Sequence, residues 1–352
     1  MTDLPSTMRG VHLIGHGGLD KLVVRDDIPV PRPGPGEVLI QVGAAGVNNT
    51  DINTRVAWYS KTDGASEDAT WSGTPLQFPR IQGADVCGQV VAVGPGVEPD
   101  RLGTRVLVEP CLREAYGRPL ATPWYFGSEC DGGFADYALV AARHAHGIDS
   151  VLSDVDLASF PCSYSTAENM LTRATVKAGD RVLVTGASGG VGSAAVQLAR
   201  ARGAQVIAVT SPAKAESLRA LGAEETLTRD QHVVEALGRN SVDVVVDLVG
   251  GSAWPALLDV LRPGGRYAVS GAIAGPMVTL DLRTLYLKDL TLVGATVLDE
   301  GVFAALVDHI AAGRVKPLVA ATYPLEAIAE AQTAFLEKGH VGKIVLTVAD
   351  KG

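Results

Sequence analysis

The chain has 352 residues, enough for two domains. A hydrophobic share of 47% and a charged share of 20% fit a globular protein, and a net charge of -9 argues against a partner whose phosphates need a basic footprint. Four cysteines (Cys87, Cys111, Cys130, Cys162), none in a CxxC pair, argue against both a disulfide scaffold and a four-cysteine zinc knot.

Taken in chain order, the opening MTDLPSTMRG lacks the basic-then-apolar pattern of a secretory signal, so a cytoplasmic protein is expected. The first 150 residues read as β-rich. Pro31, Pro33 and Pro35 turn the chain into a strand over 37–42, and further short β-branched runs follow at 88–93 and 105–108. Between Tyr59 and Phe78 the chain is polar and unpatterned, which predicts a surface loop, either a lid or a plain insertion. His144 and His146, flanking Ala145, are read as facing opposite sides of a strand and not as a shared ligand pair.

From about Ala178 strands and helices alternate: strands over 181–185, 205–209, 242–247 and 266–270, with helices over 192–202 and 213–221. Repeated βα units predict a parallel sheet covered on both faces. The charge-free stretch 182–199 is too rich in glycine and hydroxyl groups to span a membrane. A helix over 302–312 and a last strand over 343–348 end the pattern.

Forty glycines stand against about 25 at ordinary usage. Their functional focus is Gly186-Ala-Ser-Gly-Gly-Val-Gly192, between a strand and a helix. Such a turn lets the backbone approach a pyrophosphate, and the helix N–H groups and dipole favour the anion. Ser188, Gly189, Gly190, Val191 and Gly192 are therefore candidate cofactor contacts. An acid that would bind the ribose 2′-hydroxyl of NAD is expected about 20 residues on, yet 193–215 contains no Asp or Glu. Thr210, Ser211 and Lys214 end the second strand instead, with Arg229 after the next one. Hydroxyls and cations suit a 2′-phosphate, so the expected cofactor is NADPH.

These features resemble the medium-chain dehydrogenase/reductase superfamily over nearly the whole chain. The segments Gly46-Val-Asn-Asn-Thr-Asp-Ile-Asn53, Gly83-Ala-Asp-Val-Cys-Gly88 and Ser163-Tyr-Ser-Thr-Ala167 look most like its zinc-independent, quinone oxidoreductase-like branch. The resemblance implies an α/β protein with a GroES-like, β-rich catalytic domain (1–163 and 298–352) and a Rossmann domain with a doubly wound parallel sheet (164–297). It places the active site in the cleft between them and implies a homodimer or homotetramer.

Zinc-dependent members carry a cysteine, a Gly-His-Glu motif and a second cysteine. Here the corresponding positions are Asn48, Ala84 with Asp85, and Cys162, which implies no metal, unless Cys162, Asp85 or Cys87 supports an atypical site. The implied chemistry is hydride transfer to a quinone or an α,β-unsaturated carbonyl, a small-molecule substrate with no nucleic-acid or membrane partner. By the same resemblance Asn48, Tyr59 and Thr166 are the candidate catalytic residues. Gly271-Ala272-Ile273 would lie along the nicotinamide, and Lys343 would reach the cofactor. Asp51 is read as a carboxylate that holds the Asn48 turn through backbone hydrogen bonds. An enoyl-thioester reductase, a zinc alcohol dehydrogenase and a non-catalytic NADPH-binding protein stay open as alternatives.

Overall fold

The structure is a computed structural model that describes residues 4–61 and 70–348; part of the loop expected between Tyr59 and Phe78, 62–69, lies outside the described residues. The chain forms two compact units: 1–162 with 317–339 and 343–352, and 163–316 with 340–342. The sequence expectation put the return crossing at 298, whereas the second unit runs on to Lys316. The helix Val302–Ala311 buries Val302, Phe303, Leu306 and Ile310, an apolar stripe at helical spacing. Lys316 is tied back by its amide, which donates to Gln197 Oε1 (2.8 Å), and by its carbonyl, which accepts from Tyr164 (2.8 Å).

The first unit is built on a sheet in the order Ala145–Gly147, Arg105–Val108, Asp85–Val93, Glu37–Val47, Lys343–Thr347 and Val319–Pro324, with Tyr137–Ala141 also pairing Glu37–Val47. A three-stranded sheet (Leu22–Pro29, Thr7–Leu13, Arg80–Ile81) and a two-stranded one (Cys111–Ala115, Arg118–Tyr125) accompany it. Glu37–Val47 is buried on both faces because it is the shared centre of these pairings, and its Val, Leu and Ile side chains form the core with Val86, Val90, Phe134, Ile344 and Leu346. Two registers matter for function: Gly46 lies opposite Asp85 on one side and opposite Val345 on the other.

The reading of His144 and His146 is corrected here. Residues two apart in extended chain share a face, and both rings converge on Glu109 Oε2, at 2.7 Å from His144 Nδ1 and 3.5 Å from His146 Nε2. His144 Nε2 accepts from the amides of Arg113 and Glu114.

The second unit carries a six-stranded, all-parallel sheet. Its spatial order is Glu225–Thr228, Gln205–Thr210, Arg181–Val184, Val242–Asp247, Leu261–Val269, Thr291–Gly294. In chain order that is 3-2-1-4-5-6, the doubly wound arrangement, with its switch point where the first and fourth strands end side by side. The central strands are continuous Val, Leu and Ile runs because helices cover both faces. The segment before the edge strand Thr291–Gly294 exposes Ile273, Met277, Leu282, Tyr286 and Leu287. Among the described residues no helix is long and apolar enough to cross a membrane.

Candidate active site and cofactor cradle

In the second unit, the strand Arg181–Val184 leads through Gly186 (φ 57°) into the helix Gly190–Ala201. Gly192 is obligatory for the close approach of loop and helix, since a Cβ there would lie 2.3 Å from Gly186 O. The N-cap is Gly189, whose lack of a side chain leaves the first-turn amides without a side-chain acceptor. An anion is what such a terminus takes up. The predicted contacts Ser188 to Gly192 all lie on this turn.

Asp247, at the end of the fourth strand, was not foreseen as a site residue. Its fully buried carboxylate accepts from Thr185 (2.6 Å), from Tyr267 (2.6 Å) and from the amides of Val249 and Gly250, so it shapes the loop at the switch point. An acid closing the run Val242–Val246 was the available signal. Gly271 follows the fifth strand and packs on the same loop, where a Cβ would lie 2.9 Å from Leu248 O; Ala272 is half-buried, and Ile273 is exposed.

Thr210 closes the second strand with a buried hydroxyl that has no hydrogen-bond partner among the described residues. Lys214 follows Ser211, and its ammonium donates to His340 O at 2.8 Å. Burial lowers the Lys214 pKa, and the charge of Arg229 lowers it further, so two cations share this corner. Thr166 sits half-buried on the helix Pro161–Arg173.

The first unit gathers Asn48, Tyr59, Asp85, Cys162 and Lys343, together with three residues the sequence reading gave no catalytic part: Thr50, Asp51 and Tyr125. The Lys343 ammonium lies 2.7 Å from Asp85 Oδ2 and 3.0 Å from Val47 O, and it also donates to Asn48 Oδ1. Asn48 Nδ2 donates to Asp85 Oδ2 at 2.9 Å, and the Cys162 amide donates to Asp85 Oδ1. The Lys343 ammonium, expected from the sequence to reach the cofactor, is paired with Asp85 and Asn48 within this unit. Both ends of the Asn48 amide are engaged inside the protein.

Asp51 holds the turn, accepting the Asn48 amide at 2.7 Å at the start of the helix Asn49–Arg55. Burial pushes its carboxyl up to about 7, against the Asn48 hydrogen bond and the Lys343 charge. Tyr59 donates to Thr50 Oγ1 at 3.3 Å; burial raises its phenol above the ordinary value, and the nearby Cys162 and Asp51 act in the same direction. Cys162 lies 2.7 Å from the Tyr125 hydroxyl, which Trp71 stacks against. Burial, with Asp85 next, pushes the thiol up to about 12, so it stays protonated. Cys87 is buried with its thiol raised in the same way. No group of three or more His, Cys, Asp or Glu among the described residues is arranged to hold a metal.

Two family models match the chain: the alcohol dehydrogenase GroES-like domain over 34–150 and the zinc-binding dehydrogenase over 190–312. Human quinone oxidoreductase is 30% identical over 96% of this chain and 97% of its own. Acryloyl-coenzyme A reductase from Metallosphaera sedula is 30% identical over 97% of this chain and 100% of its own. Among solved structures, a Sinorhizobium meliloti 1021 protein provisionally assigned as an alcohol dehydrogenase is 46% identical, with a TM-score of 0.90 over 99% of each chain. The crotonyl-CoA carboxylase/reductase AntE, solved with NADP, is 25% identical, with a TM-score of 0.85 over 98% of this chain and 95% of that one.

Fold and relatives together define an oxidoreductase built from a GroES-like and a Rossmann-type unit. The chain belongs to the medium-chain dehydrogenase/reductase superfamily, in its quinone oxidoreductase-like branch.

Proposed function

We propose that the protein is a zinc-independent, NADPH-dependent reductase that delivers hydride to a quinone or an α,β-unsaturated carbonyl compound. The observation that carries this reading is the state of the would-be ligands. Asp85 is paired with an ammonium, Asn48 is engaged at both ends, and the Cys162 sulfur is hydrogen-bonded with the Tyr125 hydroxyl. Zinc needs about three open donors, with any thiol ionised. These residues do not fit it.

The second unit fits a nicotinamide dinucleotide, which supplies the hydride when bound. The glycine turn and the amides of the following helix would hold its pyrophosphate. The buried Thr210 hydroxyl, with Ser211, Lys214 and Arg229, would hold a phosphorylated ribose, and a dianion there relieves the repulsion between the two cations. An acid in this corner would oppose it; none is present between Ser193 and Ala215.

Hydride arriving at a conjugated carbonyl compound leaves charge on an oxygen, which then needs a donor in place of a Lewis acid. Tyr59 is that donor in this reading. Its raised phenol keeps the proton on Oη at neutral pH, and its hydrogen bond to Thr50 is long enough to be exchanged for a substrate oxygen.

The decisive experiment is NADPH oxidation by metal-free enzyme with a quinone, with acryloyl- or crotonyl-CoA, and with an aldehyde. Turnover of the quinone without metal supports the proposal, and activity that requires added zinc ends it. A second reading, an enoyl-thioester acceptor, is favoured by the acryloyl-coenzyme A reductase relative; a larger kcat/KM with the thioester would establish it.

A further inference from the structure

We infer that the Lys343 ammonium is the resident cation of this site, the charge around which Asp85 and Asn48 are set and which keeps a divalent ion out. The inference rests on the zinc-independent reading and names the group that enforces it.

The coordination is that of a bound cation. Three oxygens face the three ammonium protons: Asp85 Oδ2 at 2.7 Å, Val47 O at 3.0 Å and Asn48 Oδ1. The Lys343 side chain is 2% exposed and that of Asp85 is 0% exposed, so neither charge is shared with water. A carboxylate so buried must be paired or protonated. The backbone is shaped for this pair. Gly46 lies between the two strands that carry them, and a Cβ on it would sit 2.6 Å from Asp85 Oδ2. Only glycine leaves room for the carboxylate to reach across toward Lys343.

The same contacts orient Asn48 in one sense, carbonyl to the cation and amide to the carboxylate. Asn48 in turn begins the short helix that carries Thr50 and Asp51. Lys343 is thus a positioning residue for the turn that presents Thr50 to Tyr59. A divalent ion would have to displace a buried positive charge from Asp85, the carboxylate it is paired with.

The test compares full-length wild type with Lys343→Ala, Lys343→Arg, Lys343→Gln and Asp85→Asn. Each is incubated with cobalt(II), desalted and assayed for bound metal and for melting temperature. Wild type and Lys343→Arg are expected to retain no more cobalt than Asp85→Asn. Lys343→Ala should melt lower by about 5 °C or more. Ethylammonium or cobalt should restore it, and ethanol at equal concentration should not. Restoration by ethanol as complete as by ethylammonium would show space-filling, not charge, and overturn the inference; so would an unchanged melting temperature. Both results leave the zinc-independent reading standing, because they concern the ammonium alone. Stoichiometric cobalt in wild type, abolished by Asp85→Asn, would end both. Should Lys343→Ala fail to fold, Lys343→Gln against Lys343→Arg decides: loss of stability only in the glutamine variant supports the resident cation, and equal stability overturns it.

Discussion

The hydroxyl of Tyr59 donates to Thr50 Oγ1 across 3.3 Å, at the long end for a bond between two oxygens. Tyr59 lies in the turn that follows the helix Asn49–Arg55, and Thr50 in that helix's first turn, so the two hydroxyls are brought together by one short element. A phenol whose partner is weakly held can take a better acceptor at small cost. In the proposed reaction that acceptor is the substrate oxygen.

Tyr59→Phe is therefore expected to lower kcat by about 100-fold, the lower end for loss of a positioned proton donor, with little change in KM. Thr50→Val should lower kcat less, because it removes the partner and not the proton. Steady-state kinetics with the best acceptor, alongside melting temperatures near wild type, checks both. An unchanged kcat in Tyr59→Phe would remove the tyrosine from the mechanism.

Lys214→Ala with Arg229→Ala should weaken NADPH binding at least tenfold, about 1.4 kcal/mol, and leave NADH nearly unchanged. The physical basis is the repulsion between these cations in the free protein and their common attraction to a 2′-phosphate. Fluorescence titration with both dinucleotides measures it. Equal losses would place the damage in the fold.

Asp51 gives a pH signature. Its carboxyl is raised to about 7 by burial, above the ordinary aspartate value of 3.8. A folded pKa raised above the unfolded one favours the native state fully at low pH. That contribution is lost as pH rises from about 4 through about 7. The melting temperature of wild type should fall over this window more than that of Asp51→Asn, and parallel curves would count against the raised value.

Glu109 has the opposite sign. Burial alone would raise its carboxyl, but hydrogen bonds from His144 and His146 outweigh this and hold it at about 2. Its contribution is present above about 4.5 and disappears as pH falls toward about 2. Glu109→Gln is expected to cost roughly 1.5–3 kcal/mol at neutral pH, the range for a hydrogen bond to a charged group. Urea denaturation at pH 7 and pH 3 should show the penalty shrinking in acid.

Gly192→Ala should abolish dinucleotide binding, since its Cβ would sit 2.3 Å from the backbone oxygen of Gly186 and neither can yield without opening the turn. Retained affinity in a titration would show that the loop is softer than its packing implies.

Much of the second unit was legible in the chain because its signals are local. A strand, a glycine turn and a helix follow one another within 181–201, and the missing acid after Ser193 is read from contiguous residues. Helix bounds moved by a residue or two: the helix expected from 192 starts at Gly190, and the one expected from 213 begins at Ala215 after a single 3-10 turn. The reach of that unit to Lys316 was not legible, because it depends on Gln197 and Tyr164 meeting a backbone far along the chain.

The sequence by itself determined the parallel βα architecture and the glycine turn between its first strand and helix. Each of these depends on residue type and spacing along a few consecutive positions. Only the tertiary structure decided what Lys343 and Asn48 do. Lys343 is 295 positions from Asn48 in the chain, and the register of three adjacent strands across Gly46 brings its ammonium to Asp85. A lysine opening an apolar strand looks the same in sequence whether it faces water, a cofactor or a buried carboxylate. The pairing of strands distant in sequence is what distinguishes them.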